Sequence, residues 1–290
     1  MDNNNEFIHE DEQSPNPYEP AQSQTVSPLR GFFWLERSLS EIYAPHFKVW
    51  FIAALIYSLM TTLIPALLPP TAFLFAIINP MLVAGLLLGA HAVYTKQRSV
   101  KPLQLFEAFK HPNVVQLLIY TVLAILLVVV AVLILMSVIG FDTLNAIDLV
   151  RVQSGDEVYV TSVFKQLSPA IPWAVLLFLF ISLATWFAVS LILFSGQNAL
   201  ASLGNSLLGG LKNFFAVLVF VLTLIVCGIV IVLLSSLIVT MFGSLLANPF
   251  VNLIFDLVVN ALVMPIFIGV TYIAYREIFL GDITKSENSL

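Results

Sequence analysis

An all-α, polytopic membrane protein is the fold class this sequence predicts, with six transmembrane helices and three interfacial amphipathic helices on the cytoplasmic side. Three observations predict it. Of 290 residues, 59% are hydrophobic and only 10% charged, with a mean hydropathy of +0.98; a soluble domain needs more polar surface than that. Apolar runs recur six times at a length of about 20 residues or more, the length that crosses a hydrocarbon core roughly 30 Å thick. Lys and Arg crowd into alternate gaps between those runs. The runs lack the strict alternation of an outer-membrane barrel strand, so helices are expected.

Residues 1–29 come first and are polar. They hold Asp2, Glu6, Glu10, Asp11, Glu12 and Glu19, four prolines and no Lys or Arg. Such a composition cannot bury enough apolar surface to offset ordering, so a disordered acidic tail is expected. The chain's net charge of −5 sits in this tail, leaving the rest close to neutral. No basic stretch followed by a short apolar run opens the chain, so no cleavable signal peptide is expected. Residues 30–280 form the transmembrane domain. Its spans are Val49–Leu68, Thr71–Tyr94, Val114–Phe141, Ile171–Phe194, Phe214–Met241 and Phe250–Tyr275. Several exceed the minimum, which predicts tilt or projection past the bilayer. Residues 281–290 make a short C-terminal tail.

Basic residues set the orientation. Arg30, Arg37, Lys48, Lys96, Arg98, Lys101, Lys110, Lys212, Arg276 and Lys285 lie on one side, and only Arg151 and Lys165 on the other, a split of ten to two. Positive residues stay inside, so both termini are expected in the cytoplasm of a bacterial inner membrane. The only sizeable loop on the opposite side runs from Asp142 to Pro172. Its Ser154-Gly155-Asp156 reads as a turn, and a small helix or hairpin is expected there. Asn248-Pro249 reads as the cap and first turn of span 6.

Before spans 1, 3 and 5 the same device returns. Phe32, Leu35, Leu39 and Ile42 share one helical face, with Glu36, Arg37, Ser40 and Glu41 opposite. Leu103, Phe106 and Phe109 line up away from Gln104, Glu107 and Lys110. Leu200, Leu203, Leu207, Leu208 and Leu211 share a face that excludes Ser202, Asn205 and Ser206. These spacings suit helices lying in the membrane interface. Two readings fit. One is a true repeat of interfacial helix plus two spans, three times, about an axis along the membrane normal. The other is a set of connectors that any even-spanning protein can place inside.

Signatures of chemistry are scarce. The chain has no Walker A loop, no HExxH, no Cys-x-x-Cys and no GxSxG. His9, His46, His91 and His111 have no partners at metal-ligand spacing, so no metal and no cofactor are expected. Cys227, the single cysteine, is expected as an inert thiol buried in apolar surroundings. Asp256 lies inside a predicted span, where acids often mark ion paths. Twenty residues separate it from Arg276, about 30 Å along a helix, which places it near the outer boundary. Asn252 and Asn260 extend it into a polar stripe that either faces a cleft or holds helices together. Pro80 and Pro265 interrupt hydrogen bonding within spans 2 and 6, and Asn79 adds an amide beside the first. Asn79, Pro80, Asp256 and Asn260 are therefore the candidate cleft, between spans 2 and 6. Gly85 and Gly89 form a small-xxx-small pair suited to close packing within the chain. Trp50, Tyr94 and Trp173 fall where interfacial aromatic belts lie.

The stretches FFWLERSLSEIYAPHFKVWF, NPMLVAGLLLGAHAVYTKQRSVKPLQLFEAF and GVTYIAYREIF together resemble the uncharacterised BPSS-type family of bacterial six-span inner-membrane proteins, over about residues 31–280. The resemblance implies the layout above and carries no activity and no catalytic residues. In layout alone the chain is also similar to the membrane domain attached to some bacterial glycerophosphodiester phosphodiesterases, whose catalytic domain has no counterpart here. The functional expectation is a non-enzymatic accessory or scaffold protein of the inner membrane. The alternative is a small-molecule or lipid transporter using the cleft between spans 2 and 6. Membrane lipid and other membrane proteins are the expected partners, and nucleic acid is not.

Overall fold

The computed structural model describes residues 23–96, 101–246 and 248–281. Every described element is helical. Five helical stretches are long and apolar enough to cross a membrane, and a sixth is reached by counting Ala199–Lys212 with Phe214–Val230, two arms that meet at 81°. The chain is thus an all-α polytopic membrane protein. Span 1 is built from Phe47–Ser58, a π-helical turn at Leu59–Leu63 and Ile64–Leu67. Span 2 is Ala72–Tyr94 and span 3 Val114–Ile139. Span 4 joins Ile171–Trp186 to Ala188–Ser195. Span 5 is the helix Phe214–Leu246, and span 6 is Pro249–Leu280. Asn248 caps span 6 by accepting from the Phe250 amide at 2.9 Å.

Prolines shape the helices in two ways. Pro80 and Pro265 sit inside continuous α-helices. Pro45 and Pro65 each follow a π-helical turn, Ser38–Tyr43 and Leu59–Leu63 respectively. A proline ring presses on the carbonyl four residues back, here that of Glu41 or Thr61, and cannot bond to it. Widening the preceding turn relieves that contact.

Three short helices stand at the end of the bundle where both ends of the described chain lie. They are Arg30–Arg37 with its π-helical continuation, the 3₁₀ segment Pro102–Lys110, and Ala199–Lys212. Each leads into one hairpin of spans and packs on the hairpin before it in cyclic order. The first rests on spans 5 and 6, the second on spans 1 and 2, the third on spans 3 and 4. The contacts are close. A Cβ added to Gly31 would lie 2.0 Å from the carbonyl oxygen of Ala216, and one added to Gly85 would lie 2.1 Å from that of Leu105. Both expected packing glycines of span 2 are therefore used inside the chain, with Gly89 against Trp50. Spans 2, 4 and 6 meet one another through His91, Phe194 and Tyr272, whose rings contact pairwise at 5.0–5.8 Å. This is the cyclic order that three like units would adopt about an axis along the membrane normal.

Burial shows which residues of the short helices face the bundle. Phe32, Leu39, Leu103, Phe109, Leu200, Leu208 and Leu211 are exposed, whereas Arg30, Arg37, Ser38, Gln104, Ser202 and Ser206 are buried. Each helix thus turns part of its apolar stripe outward while Trp34, Ile42, Leu105 and Leu203 go inside with the buried polar residues. In an apolar solvent, association gains nothing from burying leucine, and close backbone approach and hydrogen bonds decide the inward face. Trp50 is also inside, 1% exposed, with its Nε1–H on the carbonyl of Ile42 at 3.0 Å. Cys227 lies on the exposed face of span 5 instead of in a protein interior.

Part of the tail expected over 1–29, residues 23–29, is described and makes contacts with the bundle. Residues 1–22, like Arg98 and 282–290, lie outside the described residues. From Ser23 onward the chain is packed. The Gln24 amide donates to the Ile278 carbonyl at 2.7 Å, and the Val26 amide donates to Asn213 Oδ1 at 2.7 Å. Asn213 Nδ2 returns a bond to the Gln24 carbonyl at 2.8 Å, and Val26 is 6% exposed. Asn213 marks the bend between the third short helix and span 5, so this strap ties that bend to the end of span 6. On the opposite side, the 142–172 loop folds into short helices. Asp148 and Asp156 cap two of them, and Gly155 turns between with φ +72°.

Candidate functional site

Charge inside the bundle gathers at the end that carries the short helices. Glu277, in the last turns of span 6, is fully buried. It accepts from Arg30 through Nε at 2.9 Å and through Nη2, from Trp34 Nε1 at 2.8 Å and from Arg37 Nη1 at 2.7 Å. Arg37 also donates to Glu41 at 2.7 Å and to the Tyr94 hydroxyl at 2.9 Å. Arg276 lies over the Tyr94 ring at 4.5 Å and donates to the Tyr272 hydroxyl at 3.1 Å. That hydroxyl meets His91 Nδ1 at 2.8 Å. A two-pronged guanidinium–carboxylate pair is geometrically demanding as well as strong. The cluster therefore locks the first short helix onto the ends of spans 2 and 6.

These residues escaped the sequence reading, although a signal was present. Arg30, Trp34, Arg37 and Glu41 recur at intervals of four, three and four, one helical stripe. It interleaves with the apolar stripe Phe32, Leu35, Leu39 and Ile42, which marks a helix lying in the interface and says nothing of what its other face binds.

The candidate cleft residues are placed in two groups. Asn79 and Pro80, in span 2, line a cavity of about 390 Å³ together with Tyr120, Thr121, Ala124 and Thr185 of spans 3 and 4. Asn79 also lines a second cavity, about 310 Å³, with Tyr57, Thr61 and Pro65 of span 1. Ala76 is shared by both. Asn79 thus stands as a septum, and its Oδ1 accepts from the Tyr57 hydroxyl at 2.7 Å. Asp256 and Asn260 are exposed on span 6, as is Asn252, and line neither of these cavities. Spans 2 and 6 do pack together, through His91 and Tyr272 at the other end of both helices.

Neither cavity on Asn79 has an acidic or basic residue among its lining residues. Its polar equipment is an amide and several hydroxyls. Thr121 and Thr185 donate to the carbonyls of Leu117 and Ile181, and Tyr120 donates to that of Thr185. Such a wall can bind through hydrogen bonds. A further cavity, about 460 Å³, is apolar throughout. Leu123, Leu127, Phe180, Leu200, Leu203 and Gly204 bound it, between spans 3 and 4 and the third short helix.

The class this fold and these cavities define is a helical integral membrane protein. Comparison with protein-family models, with characterised proteins and with solved structures finds no match to the chain.

Proposed function

We propose that this is a non-enzymatic accessory or scaffold protein of the bacterial inner membrane, with both termini in the cytoplasm. The observation that carries the reading is the use made of its buried charges. Glu277, Arg30 and Arg37 bind one another and tie the first short helix to the last span. Ionisable groups that could do chemistry in a membrane are here spent on architecture. The basic residues supply the orientation. The large exposed apolar side chains of spans 3 and 5, among them Leu126, Leu133, Leu222 and Val226, offer surface to lipid and to other membrane proteins. The resemblance to a six-span inner-membrane family agrees with this layout.

Purification in mild detergent, with identification of the proteins and lipids retained, tests the proposal. A partner held in fixed ratio supports it; a monomer that retains no protein partner in the native membrane contradicts it. Cytoplasm-dependent reporters fused at either terminus should be active, and a periplasmic signal from either one contradicts the orientation.

One observation favours a second reading, a small-molecule or lipid transporter. Asn79 borders two cavities within the span, one of them with Pro80. In the cleft version of that reading Asp256 and Asn260 join them from span 6. Asp256→Asn should then lower uptake by intact cells; an unchanged rate removes Asp256 from the path.

A further inference from the structure

Asn79 lies seven residues into span 2 from its Ala72 end, about 10 Å along the helix axis and so within the hydrocarbon depth. Its oxygen is occupied by Tyr57. Its amide nitrogen, with two N–H groups, has no hydrogen-bond partner among the described residues. An unmatched amide donor in hydrocarbon costs on the order of several kcal/mol. It faces space, because Asn79 lines two cavities. In the larger one, Thr121 and Thr185 have given their hydroxyl protons to backbone carbonyls. Each oxygen keeps a lone pair that can accept. The cavity wall thus offers paired donors from Asn79 and acceptors from two threonines. Around them Ala124, Ile125, Val128, Val129 and Ile181 supply an apolar surface. A volume of about 390 Å³ falls within the range of small-ligand sites.

We infer that this cavity binds an uncharged lipid that carries a free hydroxyl beside an ester oxygen. The ester oxygen accepts from Asn79 Nδ2, the hydroxyl donates to Thr121 or Thr185, and an acyl chain lies along Val128 and Val129. A charged headgroup is excluded, because the lining residues hold no counter-charge and a bare ion there would be strongly disfavoured. The inference holds whether the protein carries such a lipid or only retains it.

The test uses the full chain in phosphatidylcholine nanodiscs containing a trace of diacylglycerol with a photoreactive group on one acyl chain. Labelling should map to 76–80 or to Tyr120, Thr121, Ala124, Ile125, Val128 and Val129, and unlabelled diacylglycerol should compete while phosphatidylglycerol should not. Asn79→Leu should reduce labelling about tenfold, the worth of one hydrogen bond made away from water. Ala76→Phe, which fills both cavities without touching a hydrogen bond, should abolish it. Background labelling of 200–207, on the separate apolar cavity, should persist in both variants and reports that the fold is intact. If Asn79→Leu lowers the melting temperature, Ala76→Phe decides. Labelling that is unchanged in Ala76→Phe, that phosphatidylglycerol displaces equally well, or that never falls on these segments overturns the inference.

Discussion

Gly85 and Gly204 face opposite conditions and make a matched pair. Any side chain at 85 meets the backbone of the second short helix, and backbone cannot rotate away. Gly85→Ala should therefore destabilise by about 1–3 kcal/mol, the usual cost of overpacking. Gly204 has nothing within 4 Å of an added Cβ and sits mid-helix, so Gly204→Ala should be neutral or stabilise by up to about 1 kcal/mol. Thermal unfolding in detergent separates the two; equal effects would mean that the second short helix is not seated on span 2. Across the membrane, the Arg151 hydrogen bond and then the Tyr159 amide hold the Asp156 carboxyl below its ordinary range. A depressed folded value means the contribution is present above the unfolded value, about pH 3.9. It is lost as pH falls through the folded one. Asp156→Asn keeps a cap acceptor but no ion pair, so amide exchange at 157–160 should quicken while the melting temperature of the bundle holds. Unchanged exchange would show that the pair, exposed as it is, contributes nothing.

At the scale of elements, existence was legible and inward faces were not. Each span shows as an uninterrupted apolar run, and Asn248-Pro249 and Ser154-Gly155-Asp156 read correctly as cap and turn. Their orientation was hidden for a physical reason. Lipid is as apolar as a protein core, so a span is hydrophobic on every side and carries no stripe to say which face packs. The short helices do carry stripes, and the exposed Phe32, Leu103 and Leu200 suit an interfacial face, but those stripes do not say which residues bind the bundle. Arg30, Trp34 and Arg37 were the informative positions. Residues 23–29 were misassigned because their composition is that of a polar tail, while their anchors, Asn213 and Ile278, are far away in sequence. Deleting residues 1–28 should lower the melting temperature by several degrees, because it removes the buried Val26 and its hydrogen bonds to Asn213 and the end of span 6. Deleting 1–22 removes none of those contacts and should not. Equal stability of the two truncations would show that the strap is dispensable.

For the molecule as a whole, the all-α polytopic layout of five to six candidate spans followed from hydropathy, and the ends of the described chain meet, the Gln24 amide on the Ile278 carbonyl. Which hairpin meets which did not follow, since those contacts join residues far apart in sequence, 181 positions for His91 and Tyr272 and 247 for Arg30 and Glu277. Asn79 and Pro80 border cavities shared with spans 1, 3 and 4, not the expected cleft with span 6. Asp256 and Asn260 join them only through a shared polarity, and polarity alone does not say which way a helix is turned.

Glu277 closes the bundle by binding Arg30 and Arg37 of the first short helix. Removing one member of a buried ionic cluster leaves the others unmatched and typically costs about 3–5 kcal/mol, whereas replacing all of them by apolar residues is often near neutral. The direct measurement is thermal unfolding of Glu277→Leu beside the triple variant Glu277→Leu, Arg30→Leu, Arg37→Leu. The single change should lower the melting temperature by about 10 °C, and the triple variant should recover most of that loss. A single variant as stable as the parent, or losses that simply add in the triple, would contradict this closure.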